Sequence, residues 1–170
     1  LPGAMYVSQG DELGLHEVGD LPQDVLQDPI AARSQGAQKG RDGCRVPLPW
    51  VAGQPAFGFG GPAGAEPDLP QPAWFADAAV DVQTGDETST LELWRRGIAL
   101  RHELAGGDDF TWHTAGEEVL HFERPGGWHC VTNFGAEPVE LPDGELLVAS
   151  APLVDGRLGD DATAWIRVTD

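Results

Sequence analysis

Basic side chains are concentrated in one short stretch of an acidic chain. Four of the ten Lys and Arg residues fall within thirteen positions: Arg33, Lys39, Arg41 and Arg45. Guanidinium groups carry planar sets of N–H donors that suit paired hydroxyls and carboxylates. Residues 40–50 (GRDGCRVPLPW) and residues 9–14 (QGDELG) therefore contain the side-chain types from which a polar ligand site can be built.

Composition is typical of a soluble globular protein. The 170 residues are 41% hydrophobic and 22% charged, and the formal net charge is −18. An acidic surface gains no counterion release from phosphate backbones, so neither nucleic acid nor an acidic membrane is an expected partner. The longest apolar stretches, such as residues 146–149, are far shorter than the roughly 20 residues of a membrane-spanning helix.

The cysteines and the short motifs exclude several classes of site. Cys44 and Cys130 lie far apart without a CxxC pair, which suits reduced thiols in a cytoplasmic chain. The sequence contains no GxSxG elbow, no GxGxxG and no Walker-type loop. Serine-hydrolase chemistry and nucleotide use have no support, and no cofactor is expected.

Three histidines recur at an interval of eight, with two glutamates near them: His113, His121 and His129, and Glu117 and Glu118. This interval matches no standard ligand motif. Histidines scattered over strands are usually structural or exposed. The sequence therefore predicts those roles and no metal.

The first half of the chain predicts one strand followed by a long loop. Residues 4–8 (AMYVS) are short, apolar and β-prone, and they indicate a buried strand. Residues 10–72 show little periodicity, and half of residues 53–72 are Gly or Pro, which excludes a regular helix or sheet there. Buried-looking aromatics such as Trp50 and Phe57 favour an ordered loop.

Two helices are predicted next. Residues 73–83 place Phe75, Ala78, Ala79 and Val82 on one face. Residues 89–104 begin with a capping box, in which Ser89 and Glu92 each satisfy a free backbone N–H.

After residue 107 the apolar period changes from 3.6 to 2. Turn signals at residues 125–127, 142–144 and 154–156 separate the alternating segments, which predicts a small antiparallel sheet or sandwich. A unit this small is marginal alone, so the preceding helix is its expected support.

Several motifs, in order, resemble the C-terminal part of an α-glucosidase of glycoside hydrolase family 13, the α-amylase family. They are residues 9–14 (QGDELG), close to that group's usual QGEELG, residues 27–29 (QDP) and residues 40–50. Residues 69–72 (LPQP), 91–96 (LELWRR) and 131–138 (VTNFGAEP) are also similar. Ser8, Asp11 and Asp68 depart from the usual Tyr, Glu and Trp.

The resemblance implies an α+β fragment. Residues 1–106 would be the last strand, long loop and helix of a (β/α)8 TIM barrel, and residues 107–170 a small antiparallel β-sandwich domain. The family hydrolyses α-linked glucosides with retention, which requires two carboxyl groups about 5–5.5 Å apart. The segments bearing those carboxylates are not found in this sequence, so the chain alone is predicted to be inactive.

The resemblance also assigns roles to four residues. Glu12, Arg41 and Arg45 would form part of the sugar-facing wall at the C-terminal end of a barrel strand, and Asp42 would orient an arginine. The alternative is that Glu12 and one arginine form a structural ion pair that fixes the loop.

The expected ligand is an α-glucoside oligosaccharide, bound in the complete enzyme. A lone barrel strand has unpaired edges, so pairing with the missing N-terminal barrel portion or self-association is expected. The alternative is a stand-alone carbohydrate-binding or interaction domain in which Trp112, Trp128 and Trp165 stack on sugar rings. Tryptophans at alternating strand positions are more often core residues.

Overall fold

The computed structural model describes residues 1–61 and 64–168. The chain divides into two compact units, one of Val7–Glu92 and the other of Leu1–Tyr6 together with the chain from Leu93 onward. Within the described ranges, none of the helices has the length and apolar character needed to cross a membrane.

The Val7–Glu92 unit consists mostly of loops and short helical turns, and Trp50, one of the aromatics expected to be buried, is 49% exposed. It contains two short α-helices, α1 (Pro29–Arg33) and α2 (Val80–Gln83). Among its described residues there are also five 3₁₀ turns: Asp11–Leu13, Gln23–Val25, Asp42–Cys44, Pro55–Gly58 and Ala73–Ala76. Its core consists of Val18, Val46, Leu69 and Phe75.

The predicted buried strand over residues 4–8 is wrong for this chain. Tyr6 is 95% exposed, and Met5 and Val7 are 48% and 43% exposed. A strand requires hydrogen bonds to a neighbouring strand. Among the described residues, the ladders of the sheet do not include this segment, so its β-propensity has no partner.

The helix predicted over residues 73–83 is broken in the middle. Ala79 has an extended backbone (φ −63°, ψ 148°), which separates the 3₁₀ turn from α2. Phe75 and Ala79 are buried as predicted, but Val82 is 49% exposed. Gln83 is buried in place of Val82, and its Nε2 donates to the Leu13 carbonyl at 3.0 Å.

The third helix, α3 (Thr90–Glu103), forms as predicted, with one of the two hydrogen bonds of the predicted capping box. The Ser89 hydroxyl accepts a hydrogen bond from the Glu92 backbone N–H at 3.2 Å. The Glu92 carboxylate accepts from the Gly85 N–H at 2.9 Å, and the Ser89 N–H donates to the Asp86 carbonyl.

After α3, five strands among the described residues form one antiparallel sheet in the order β1-β2-β3-β5-β4. Its strands are β1 (Thr111–Trp112), β2 (Val119–Arg124), β3 (Trp128–Asn133), β4 (Gly144–Ala149) and β5 (Ala162–Val168). The antiparallel sheet is thus confirmed. A second sheet, which a sandwich requires, is not formed by residues 1–61 and 64–168.

Each face of the sheet carries an apolar cluster. On one face Val131, Ala164 and Ile166 pack with Leu158, which lies in the connection between β4 and β5. On the other face a cluster of Phe122, Trp128 and Cys130 contacts Leu104, the residue after α3. The expected support from the preceding helical segment is therefore present at Leu104.

Candidate functional site

Asp42 is buried and stabilises the loop that contains Arg41 and Arg45. Its side chain is 2% exposed, and Oδ2 accepts hydrogen bonds from the backbone N–H groups of Gln27 and Asp28 at 3.0 and 2.9 Å. A carboxylate with two backbone donors tolerates burial because its charge is stabilised by them. Asp42 therefore joins the 27–28 segment to the 3₁₀ turn that it begins.

Asp28 forms the second part of the same network. As the N-cap of α1, which has Pro29 at its first position, it accepts from the Ile30 N–H through Oδ1 at 3.0 Å. Its Oδ2 accepts from the Arg41 backbone N–H at 3.0 Å. The Arg41 N–H is the largest cause of a lowered pKa for the Asp28 carboxyl, followed by the Ile30 N–H and then the charge of Arg45.

Arg45 is the arginine that this network holds. Its Nη1 lies 3.2 Å from Asp28 Oδ2 and 3.6 Å from Asp42 Oδ1, while its side chain remains 54% exposed. Arg41 is exposed, and within the described residues its guanidinium makes no hydrogen bond. The structure thus brings together Asp42, Arg45 and Asp28, a residue that the sequence analysis placed in the motif of residues 27–29 without a site role.

Glu12 lies apart from this group. Its Oε2 accepts a hydrogen bond from the Gly10 N–H at 2.9 Å within the turn Asp11–Leu13. In the part of the chain that the structure describes, it forms no ion pair with Arg41 or Arg45. The alternative in which Glu12 and an arginine fix the loop is therefore not seen.

Arg45 and Asp42 line an open cleft of about 450 Å³. Gln27, Glu66 and Asp68 add polar groups to it, and Phe59, 52% exposed, adds an aromatic surface. This volume lies within the ~300–1,000 Å³ range of small-molecule sites. Donors, acceptors and an aromatic face are the features that suit a ligand rich in hydroxyl groups.

The three histidines are brought together by the sheet. One ring nitrogen from each of His113, His121 and His129 lies within 4.8 Å of the other two. Burial lowers the pKa of both His121 and His129. The carboxylate beside them is Glu123, 3.2 Å from His113 Nε2. Sequence reasoning named Glu117 and Glu118 instead, because strand register cannot be obtained from spacing alone.

The tryptophans and cysteines occupy contrasting environments. Trp128 is 7% exposed, which confirms its predicted core role, whereas Trp112 is 55% exposed. Cys44 is exposed and Cys130 buried, and both are free thiols. Burial raises the pKa of Cys130.

Comparison with known proteins adds the relatives of this chain. A sequence model of the family described as "Alpha amylase, catalytic domain" matches residues 1–106. A protein of Rhizobium meliloti (strain 1021) named "Probable alpha-glucosidase" is 40% identical over 150 residues, which are 84% of this chain and 26% of that protein.

Solved structures of other proteins also match most of this chain. The crystal structure of the α-glucosyl transfer enzyme XgtA matches 94% of this chain and 32% of its own, with a TM-score of 0.70 and 34% identity. Trehalose-6-phosphate hydrolase of Bacillus licheniformis matches 92% of this chain and 34% of its own, with a TM-score of 0.70 and 18% identity, which shows likeness of fold alone. The chain therefore spans about a quarter to a third of the length of these relatives.

Proposed function

The chain belongs to the α-amylase family of glycoside hydrolases, and we propose that it forms the C-terminal part of an α-glucosidase. The complete enzyme would hydrolyse α-linked malto- or isomalto-oligosaccharides with retention. In this proposal residues 1–106 end the catalytic (β/α)8 barrel, and residues 107–170 form the C-terminal β domain. The two free thiols agree with a cytoplasmic location.

The observation that carries the proposal is the cleft beside Arg45. Asp28 engages Nη1 of this arginine, and the side chain is still 54% exposed, so other N–H donors of its guanidinium can reach sugar hydroxyls. Glu66 and Asp68 supply acceptors on the same cleft, and Phe59 supplies a surface for the apolar face of a sugar ring. We assign the role of positioning Arg45 to Asp42.

Bond cleavage is ascribed to other parts of the enzyme. A retaining mechanism uses one carboxylate as nucleophile and one as acid/base. We propose that both come from the barrel segments that the relatives have and this chain does not span. The chain would then contribute binding energy and barrel support, with Glu12 and Arg41 further along the sugar-facing wall.

Kinetics of the complete enzyme test these assignments. Arg45→Ala should raise KM or lower kcat/KM by about 10-fold or more, because a lost hydrogen bond from a charged group is worth ~1.5–3 kcal/mol. Arg41→Ala should weaken substrate use less, since Arg41 does not line the cleft. Neither should change Tm appreciably. Arg33→Ala is the matched control, because Arg33 is exposed in α1 and outside the cleft. A large loss of Tm with unaltered kinetics would contradict the assignments.

The isolated chain provides a second test. It should not turn over p-nitrophenyl glucoside, and activity in a preparation free of other glucosidases would refute the division of roles. The exposed Trp112, with Phe110 beside it at a ring separation of 5.2 Å, favours a second candidate, a stand-alone sugar-binding domain. Saturable quenching of Trp fluorescence by maltose or isomaltose, lost in Trp112→Ala, would support that candidate.

We also propose that the apolar residues Met5, Tyr6 and Val7 pair with another chain segment. They are 48%, 95% and 43% exposed, and an unpaired β-prone segment recruits a neighbouring edge. The partner would be the remaining barrel portion or a second copy. Solution scattering should show self-association of the isolated chain, and a monodisperse monomer would count against it.

A further inference from the structure

Three imidazole rings, none of them part of the proposed sugar site, converge on one face of the sheet. His121 lies in β2 and His129 in β3, and His113 follows β1 directly. The His113 N–H donates to the His121 carbonyl at 3.0 Å, so the two residues lie opposite each other. Because adjacent strands are about 4.8 Å apart, an antiparallel meander converts a spacing of eight into contact between neighbours.

The distances within this histidine cluster suit a shared ligand. Nε2 of His121 lies 2.9 Å from Nδ1 of His129. The ring centroids of His113 lie 4.5 Å from His121 and 5.0 Å from His129. A tetrahedral ion with Zn–N bonds of about 2.0–2.1 Å holds its nitrogen ligands ~3.3 Å apart. Side-chain rotations that move the ring nitrogens by roughly an ångström would bring all three to this separation.

We propose that His113, His121 and His129 bind one divalent transition-metal ion, with Zn²⁺, Ni²⁺ or Co²⁺ as the matching class. Imidazole nitrogen is the ligand these ions share, and three histidines leave a fourth position for water. The His113 side chain is 35% exposed, so the ion can reach the cluster from solvent.

Glu123 is the positioning residue of this site. Its Oε2 lies 3.2 Å from His113 Nε2, in register opposite His129. With Nε2 bonded to this carboxylate, His113 would bind the ion through Nδ1. A carboxylate that holds the outer nitrogen of a ligating histidine fixes the ring and increases its basicity.

The ion would fasten β1 to the sheet. This strand has only two residues, Thr111 and Trp112, paired with β2. A metal bound by residues of β2 and β3 and by the residue that follows β1 stabilises the folded state because the unfolded chain does not preform the site. Added metal should therefore raise Tm.

The test uses the full 170-residue chain, free of any affinity tag. Calorimetric titration with Zn²⁺ should give one ion per chain, and Co²⁺ should give the visible bands of tetrahedral coordination. His121→Asn and His113→Asn should each weaken Zn²⁺ binding by more than the ~10–100-fold cost of removing an outer-shell partner. Glu123→Gln should weaken it within that range. His102→Asn, at an exposed site in α3, is the matched control and should bind as the parent does.

Two results would overturn the proposal. One is the absence of saturable Zn²⁺ binding by the parent chain. The other is unchanged affinity in His113→Asn, whose position at the exposed end of the cluster makes this variant the one least subject to misfolding. Circular dichroism of each variant establishes that a loss of binding is not a loss of fold.

Discussion

Removal of the Asp42 carboxylate should destabilise the loop that contains Arg41 and Arg45. The hydrogen bonds of Asp42 give the size of the effect. Asp42 is 2% exposed and accepts two backbone hydrogen bonds, at 3.0 and 2.9 Å. Hydrogen bonds to charged groups are worth ~1.5–3 kcal/mol each, and water can reach part of the freed N–H groups. Asp42→Ala should therefore lower the free energy of unfolding by about 2–4 kcal/mol.

Further variants separate the contribution of the Asp42 carboxylate to stability from that of Arg45. Asp42→Asn keeps an acceptor oxygen and loses the charge, so it should cost about half as much. Arg45→Ala should cost less than ~1 kcal/mol, because an ion pair with a 54% exposed side chain is screened by solvent. Exposed Asp20→Ala should stay within about 0.5 kcal/mol of the parent.

Urea unfolding of the 170-residue chain measures all four variants. With a Tm shift of ~2–4 °C per kcal/mol for a chain of this size, Asp42→Ala should also lower Tm by about 5–15 °C. The reasoning is refuted if Asp42→Ala matches Asp20→Ala, or if Arg45→Ala is more destabilising than Asp42→Ala. Either result would mean that the backbone bonds to Asp42 do not hold the loop.

Two further substitutions have expected outcomes. A Cβ on Gly40 would collide with the Asp28 side chain, so Gly40→Ala should lower the free energy of unfolding by ~1–3 kcal/mol. Gly53→Ala, which has open space around its Cβ, should leave urea unfolding unchanged. Equal effects of the two substitutions would contradict this. Asn133 is 1% exposed and its amide donates to three backbone carbonyls, so Asn133→Asp should destabilise the chain by more than about 3 kcal/mol, and a Tm near that of the parent would be the contrary result.

Local signals account for the elements that the sequence predicts correctly. Ser89 caps α3 because a hydroxyl needs only a backbone N–H three residues away. The turn at residues 125–127 separates β2 from β3 as predicted, since its chemistry is contained in three residues. The predicted turn at residues 142–144 overlaps the start of β4 at Gly144, and the alternating segment before it forms an isolated bridge at Val139 rather than a strand. The segment over residues 4–8 fails for the opposite reason, because strand formation depends on a partner that local sequence does not specify.

Contacts between distant residues account for what the sequence missed. Gln83 looked like a polar helix residue, but its partner Leu13 lies 70 positions earlier. The role of Asp28 depends on Arg41 and Arg45, which reach it only through the fold of the loop. For the candidate site, the motif resemblance assigned roles to Asp42 and Arg45, whereas it contained Asp28 in residues 27–29 without a role, because its contacts with the other two depend on the fold.

The charge balance of this network shows that Asp28 and Asp42 are stabilised mainly by the backbone and leave Arg45 exposed. Two carboxylates face one guanidinium, which would leave an excess negative charge if the arginine alone compensated them. Their oxygens are instead stabilised by four backbone N–H groups: those of Gln27 and Asp28 on Asp42, and those of Ile30 and Arg41 on Asp28. The carboxylates are thus fixed without Arg45, and they hold its guanidinium in place at the cleft. In the proposed sugar site, a cation positioned in this way would exchange solvent for sugar hydroxyls without the loop having to rearrange.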